Sequence, residues 1–475
     1  MFNYIINHRN SQNYNKILLV LIILTVLSIF FPIRHVFLTK EAYLTGNYSD
    51  FTSFSLYISD ILIFITAIAV FLPRGGRIFW LRIKDKGLRI PIIWLILAIF
   101  IIFFIHFGLN IRLNVYLLAK WLELIVAYGT FKVLFDQNSL KNLFLKLFAW
   151  LCGLESILAL IQFAKQSSIG LYKLGEPHLA PSILGVAKIV SGGTTFIRGY
   201  GTFPHPNPFS AFLVAGILIT AYLLINATTK KSQILYSVLL FINILGLTVT
   251  FSRGAYLALA VGLVIFFGML FFGRHSEGVQ PTEESQPFIR RSFTPRMHSG
   301  FRMTPVVVVV ISVIVSFFLF KPFLLTRATF SDQATVAREF YDVTGVKMVE
   351  KNPIFGVGLG ESLLHMEQYS QKVLAPWDKQ PPHNYFIIAA AEMGIPAMLI
   401  LVWIFLSHFW GLIKKIRTNK DFQLFTFYFL LISILCTFLV LMMFDHYFYT
   451  LQQTQLLLWI FLALIAAETK NINAV

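Results

Sequence analysis

Three short segments of this sequence carry basic side chains directly ahead of long apolar stretches. Their chemically active residues are Arg198, His205 and Asn207 in the first segment, Arg253 in the second, and His383 and Asn384 in the third. A guanidinium group binds phosphate oxygens in a planar, bidentate geometry. A neutral imidazole accepts a proton from a hydroxyl group. These residue types therefore indicate phosphate binding combined with acid–base chemistry.

The elements that position these residues are predicted to be membrane-spanning helices. Hydrophobic residues make up 57% of the chain and charged residues 13%, which excludes an ordinary soluble globular protein. Apolar stretches of about 20 residues recur about twelve times, so the sequence predicts an all-α polytopic membrane protein. The predicted spans are centred on 17–33, 56–72, 90–107, 113–131, 143–163, 208–226, 233–251, 254–272, 305–322, 384–409, 422–444 and 451–467.

Basic residues between the spans predict the orientation of the bundle. Clusters such as Lys230-Lys231 and Lys414-Lys415 lie on the side that holds both termini, which marks that side as cytoplasmic. The three basic motifs then lie on the outer face. The net charge of +17 reflects this topology and an affinity for anionic membrane lipids. No motif for nucleic-acid binding accompanies it, so nucleic acid is not an expected partner.

The predicted spans divide the chain into segments with different roles. The largest outer segment lies between spans 9 and 10 and contains an amphipathic helix that carries Arg338. The segments are residues 1–163 (spans 1–5), 164–207 (first long outer loop), 208–272 (spans 6–8), 273–304 (flexible cytoplasmic linker), 305–322 (span 9), 323–383 (large outer loop) and 384–475 (spans 10–12 and C-terminus).

Helix starts bring the basic residues to one surface. Between Ile234 and Phe272 the only charged residue is Arg253, so it must lie near the tip of a hairpin of two spans. Asn207 followed by Pro208 is a favourable helix start, with His205 just ahead of it. A single interfacial Arg can simply contact lipid headgroups, and a single interfacial His can be structural. Three basic sites at helix N-termini on one face instead favour a shared site for a lipid diphosphate.

Other polar motifs allow weaker conclusions. The run Gly356-Val-Gly358-Leu-Gly360 follows a predicted helix, so it indicates a tight turn against neighbouring helices more than a nucleotide site. Lys120 and Glu123 lie within a predicted span and are expected to pair with each other, with a role in the substrate path as the alternative. Asp445-His446 either orients a neighbour or ends a helix. The sequence shows no metal-ligand motif on the predicted outer face, so neither a metal nor a cofactor is predicted.

Together these motifs resemble the O-antigen ligase superfamily, which includes O-antigen ligases, some O-antigen polymerases and protein O-oligosaccharyltransferases. The resemblance rests on residues 198–207, 252–254, 352–360, 383–385 and 392–396. Asp445-His446-Tyr447 and Gln452-Gln453 extend it, so that it covers roughly residues 190–465. It implies an all-helical glycosyltransferase of the GT-C type in the cytoplasmic membrane of a bacterium.

The resemblance also implies an activity. A glycan on undecaprenyl diphosphate would be the donor, and a hydroxyl of a glycolipid, glycan or protein would be the acceptor. Transfer would invert the anomeric carbon and need no metal. Arg198 and Arg253 would hold the diphosphate, and His383 would activate the acceptor. The candidate substrate-binding residues would be His205, Asn207, Arg338 and Asn384.

Competing interpretations remain at this stage. A polysaccharide polymerase of the same superfamily would carry the same motifs. A transporter of lipid-linked glycans would show inverted repeats and charges through the membrane midplane, whereas these motifs gather at one surface. A scaffolding membrane protein would have no use for the glycine and His-Asn motifs.

Overall fold

Long apolar helices make up most of the computed structural model. It describes residues 2–44, 46–72, 86–107, 110–275, 304–327, 333–375, 378–419 and 421–469. Residues 276–303, which form nearly all of the predicted cytoplasmic linker, lie outside this described part of the chain.

The described helices follow one another in a simple order. They are α1 (Phe2–Phe30), α2 (Ile58–Phe71), α3 (Lys86–Ile105), α4 (Ile111–Phe135), α5 (Asn138–Lys165), α6 (Pro206–Ile225), α7 (Lys230–Val249), α8 (Arg253–His275), α9 (Thr304–Arg327), α10 (Gln333–Lys351), α11 (Met366–Ser370), α12 (Tyr385–Thr418), α13 (Phe422–Phe444), α14 (Tyr447–Thr450) and α15 (Gln452–Glu468).

Seven of the described helices are long and apolar enough to cross a membrane. They contain residues 13–30, 138–165, 206–225, 230–249, 304–327, 385–418 and 422–444. Shorter apolar helices cover 58–71, 90–105, 253–268 and 452–468. The predicted span 113–131 coincides with α4, whose hydropathy is lowered by charged residues such as Lys120 and Glu123. Helices therefore occupy the positions of the predicted spans. By length and composition, seven of the described helices could cross a membrane, whereas the sequence predicted about twelve spans.

Short strands correct the all-α prediction. Between α1 and α2, β1 (Arg34–Phe37) pairs with β4 (Phe54–Tyr57), and β2 (Tyr43–Leu44) pairs with β3 (Asn47–Tyr48). Between α5 and α6, β5 (Lys188–Ser191) pairs with β6 (Thr194–Ile197). Gly192 and Gly193 join this last pair with φ of 57° and 76°, as a two-residue hairpin turn requires. Backbone N–H and C=O groups outside the helices need hydrogen-bond partners, and strand pairing in these hairpins provides them.

Helix α12 is broken where the glycine run of residues 356–360 packs against it. Gly394 has φ 82° and ψ 164° inside α12, and a Cβ there would lie 2.0 Å from the carbonyl oxygen of Ile354. The Ile395 amide donates to the Pro353 carbonyl at 2.8 Å across the break. The interpretation of the glycine run as a tight turn against a neighbouring helix is thereby confirmed.

Candidate functional site

The three basic motifs meet at one end of the bundle, where α5, α7 and α13 end and α6, α8 and α12 begin. Arg198 follows β6 directly and is only 6% exposed. Its Nε donates to the carbonyl oxygen of Thr250 at 2.5 Å, which ties the first motif to the second. Its Nη2 donates to Oδ1 of Asn207 at 2.8 Å. Arg198 is therefore a fixed, buried cation.

Asn207 connects Arg198 to a carboxylate from the far end of the chain. The Asn207 Nδ2 donates to Oδ2 of Asp445 at 2.8 Å. The same Asp445 oxygen lies 3.9 Å from Nη2 of Arg338 on α10. Asp445 is thus the common neighbour of the first motif and the large loop. From the sequence, Asp445 was expected to orient a neighbour or to end a helix, and it extended the family resemblance without an assigned role.

The start of α6 differs from the prediction by two residues. His205, not Asn207, is the N-cap, and its Nδ1 accepts the Asn207 backbone amide at 3.1 Å. Pro206 provides the fixed φ of the first helical position. Burial first, and the charge of Arg198 second, lower the pKa of His205 to about 3. His205 is therefore a neutral acceptor that shapes the helix start and leaves the Asn207 side chain free to bridge.

His383, Asp445 and His446 form a compact cluster beside this chain of contacts. Their potential ligand atoms all lie within 4.8 Å of one another. The rings of His383 and His446 pack edge to face, with their centroids 4.9 Å apart. The His383 ring stacks on the Tyr341 ring, with the centroids 5.5 Å apart. The His446 backbone amide donates to Asp445 Oδ1 at 2.9 Å. These contacts hold both imidazoles in defined orientations.

The surroundings of His383 leave one of its nitrogens available as a base. Its Nδ1 lies 3.1 Å from the Pro381 carbonyl oxygen, which can only accept, so Nδ1 carries the proton in the neutral ring. The Nε2 atom is then the unprotonated nitrogen. Burial lowers the pKa of His383 below its ordinary 6.5, although nearby Asp445 acts in the opposite direction. His383 is consequently neutral at pH 7.

The same cluster corrects one conclusion from the sequence. No set of metal ligands was recognised on the outer face, yet His383, Asp445 and His446 have the donor types and proximity to hold a metal ion. The set was missed because two loops far apart in sequence supply it. Asp445 also has partners within the protein, since the Asn207 side chain donates a hydrogen bond to it and the Arg338 Nη2 lies 3.9 Å away. The absence of a metal stays a prediction.

Positive charge is concentrated around Arg198. Burial first, and then the charges of Arg327 and Arg338, lower the pKa of Arg198 to about 9. Arg327 ends α9 and was not singled out from the sequence. Its carbonyl oxygen accepts from Nε of Arg253, the first residue of α8, at 2.7 Å. Like charges that are buried close together raise the local positive potential, which is an arrangement suited to an anion.

Asn384 acts chiefly as a helix cap. Its Oδ1 accepts from the Phe386 and Ile387 amides at 2.9 and 3.2 Å, and its Nδ2 donates to the Met443 carbonyl at 3.1 Å. These bonds fix the N-terminus of α12 against the end of α13. They place His383 immediately ahead of a capped helix. Contact of Asn384 with a substrate stays a prediction.

Two neighbours of His383 were missed from the sequence. Tyr341 and Asp342 lie on α10, where their spacing only indicated an amphipathic helix. Burial raises the pKa of Asp342 to about 6. A hydrogen bond from the His383 backbone and the charge of Arg338 act in the opposite direction but are weaker. Asp342 thus changes charge in the same pH range as an ordinary histidine.

A cavity of about 330 Å³ adjoins the cluster. Phe51 and Thr450 line it, and both contact His446: the Phe51 ring at 5.4 Å and the Thr450 hydroxyl at 2.7 Å from Nδ1. Residues 32–57 and α4 supply a large part of its other walls. Leu359, Gly360, Glu392 and Gln453 add wall residues from the segments that carry the family resemblance. The site therefore has three parts. They are a cationic side (Arg198, Arg253, Arg327 and Arg338), a histidine cluster (His383, Asp445 and His446) and a polar cavity.

The apolar helices and this site define a multi-pass membrane protein with a cationic, histidine-bearing centre at one end of its bundle. Residues 238–402 match the family described as O-Antigen ligase, which confirms the resemblance to the O-antigen ligase superfamily. The matched segment includes Arg253, Arg338 and His383. No curated protein matches the chain.

Proposed function

We propose that this protein is an inverting, metal-independent glycosyltransferase of the O-antigen ligase type. It moves a glycan from undecaprenyl diphosphate to an acceptor hydroxyl at the outer face of a bacterial cytoplasmic membrane. The proposal includes about twelve spans of GT-C type with both termini in the cytoplasm. The contact chain Arg198–Asn207–Asp445 carries the argument, since it joins the cationic side to the histidine cluster.

The diphosphate is assigned to the cationic side. Arg198 and Arg253 come from two motifs, and Arg327 and Arg338 add charge around them. Helices α6 and α8 begin here, so their N-terminal dipoles favour an anion as well. Cationic side chains placed where charge develops stabilise a departing diphosphate without a metal.

His383 is assigned to the acceptor. The acceptor oxygen attacks the anomeric carbon while its proton passes to Nε2 of His383. The bond from the anomeric carbon to the phosphate oxygen breaks, and its electron pair leaves with the diphosphate. A single displacement of this kind inverts the anomeric carbon. Asp445, with an oxygen 3.8 Å from His446 Nε2, favours a transient positive charge on the cluster.

A decisive test uses the full chain in proteoliposomes with a radiolabelled glycan on undecaprenyl diphosphate and a matching acceptor. The expected result is acceptor labelling with release of undecaprenyl diphosphate, which is lost in Arg198→Ala. Movement of the labelled lipid across the bilayer without acceptor labelling would instead identify a lipid-linked glycan transporter. Labelling of a second lipid-linked glycan would identify a polysaccharide polymerase, which would use the same site.

A further inference from the structure

The cavity beside the histidine cluster has chemistry different from that of the cationic side. Its two cationic wall residues, Arg34 and Lys120, are both held by carboxylates. Arg34 Nη2 lies 2.6 Å from Asp50 Oδ1. Lys120 Nζ lies 2.5 Å from Asp60 and 3.3 Å from Glu123. The expected pairing of Lys120 with Glu123 is confirmed and extended. With its cations neutralised in this way, the cavity is poorly suited to a diphosphate.

Two polar side chains of the cavity wall form no hydrogen bond with other described residues. The Gln453 side chain is 3% exposed, and within the described part of the chain its amide forms no hydrogen bond. The neighbouring Gln452, by contrast, donates to Asp60 at 2.7 Å and to Glu123 at 2.9 Å. The buried Ser55 hydroxyl also lacks a partner among the described residues. Buried polar groups are normally satisfied, so this pair indicates a polar ligand.

The remaining wall provides aromatic surface. Tyr57, Tyr116 and Trp121 line the cavity together with the polar groups. An aromatic ring packs against the C–H face of a pyranose, and amides and hydroxyls exchange hydrogen bonds with its hydroxyl groups. A volume of about 330 Å³ is at the lower end of the range of about 300–1,000 Å³ for small-molecule sites. One or two sugar rings match this size.

We propose that this cavity binds an uncharged sugar unit of a glycan substrate and that Gln453 is its main recognition residue. The inference rests on the proposed function. The contacts place the histidine cluster between the two sides: Asp445 connects it to Asn207 and Arg198, and His446 connects it to Phe51 and Thr450. A sugar in the cavity therefore lies next to the reacting centre, while the diphosphate lies on the opposite side.

The test measures binding of free sugars to the full chain in lipid nanodiscs. The probes are glucose, galactose and N-acetylglucosamine, each followed by saturation-transfer NMR. Gln453→Met keeps the side-chain volume and removes the amide, so binding of at least one sugar should fall about tenfold. Gln233→Met is the control, because the Gln233 amide donates to the Ala227 carbonyl at the other end of the bundle. Ser55→Ala should also weaken binding, which covers the case that Gln453→Met does not fold.

Undecaprenyl diphosphate, without a sugar, is the second probe. It should bind wild type and Gln453→Met equally, because the cavity is not its site. If no sugar binds, or if Gln453→Met and Ser55→Ala bind sugars like wild type, the cavity proposal is overturned. If sugars bind as expected but undecaprenyl diphosphate does not, only the proposed function fails. Displacement of the bound sugar by undecaprenyl-diphosphate N-acetylglucosamine assigns the cavity to the donor, and simultaneous binding assigns it to the acceptor.

Discussion

At the residue scale, the proposed mechanism divides the side chains of the site into supporting and reacting groups. His205 and Asn384 cap helices, and Asn207 bridges Arg198 and Asp445. His383 keeps an available Nε2 beside the cluster. Substitution of a supporting residue should therefore affect geometry, whereas substitution of a reacting residue should affect transfer alone.

His383→Ala should still bind a glycan on undecaprenyl diphosphate but fail to transfer it, since the diphosphate is assigned to the arginines. Donor binding and single-turnover transfer are measured on the same preparation. His178→Ala is the control, because His178 is exposed and stacks on Tyr172 at 4.2 Å. Lost donor binding would move His383 to the diphosphate site, and retained transfer would remove it from the mechanism.

The pH dependence follows from the direction of the His383 pKa. The base acts when neutral, so transfer should be lost as pH falls through a midpoint below 6.5. Asp445, Arg338, His446 and Asp342 surround this ring, and the pKa of Asp342 is about 6. A pH–rate profile of Asp342→Asn separates the two groups. A midpoint that disappears in this variant would assign the titration to Asp342.

The fork geometry of Arg253 is testable separately. Arg253→Ala should reduce transfer on the order of a hundredfold, by analogy with removal of a preorganised donor. Arg253→Lys should also impair it, because Lys cannot bind two phosphate oxygens in a plane. Arg112→Ala, which removes an exposed Arg from the first turn of α4, should have no such effect. A wild-type rate in folded Arg253→Ala would make this residue a lipid-headgroup contact only.

At the element scale, the break in α12 positions the loop that leads toward His383. The loop after α10 enters the break, where the Val357 amide donates to the Ala391 carbonyl at 2.8 Å. The positive φ and the close approach at Gly394 leave no room for a side chain. The tight packing of two backbones therefore depends on this glycine.

Gly394→Ala should destabilise the protein by more than about 1 kcal/mol, because it adds a Cβ at a positive φ and against the Ile354 carbonyl. Thermal unfolding in detergent measures the change. Gly268→Ala is the control: its Cβ would meet no atom within 4 Å, so stability should stay equal or rise slightly. Equal melting temperatures for both variants would show that the break tolerates a side chain.

At the scale of the whole molecule, the site requires the three motifs to lie on the outer face of the membrane. Cysteines introduced at Ser191 and Gln371 should react with an impermeant thiol reagent from outside. A cysteine at Ser285, which lies outside the described residues, should react only after permeabilisation. The cysteine-free parent Cys152→Ser/Cys436→Ser supplies the background. Labelling at Ser285 from outside would show that the bundle has the opposite orientation, which would exclude an active site on the outer face.

Sequence alone determined the helical membrane class, the helix positions and the choice of Arg198, Arg253 and His383 as candidate site residues, because hydropathy and local motifs are properties of short segments. The interpretation of the glycine run also followed from its position after a helix. Tertiary structure decided what meets at the site. Asp445, Arg327, Tyr341 and the cavity around Gln453 come from distant segments, and their proximity depends on how the helices pack. The short hairpins escaped prediction because their strands are only two to four residues long. Local patterns specify elements, whereas a site is formed by contacts between them.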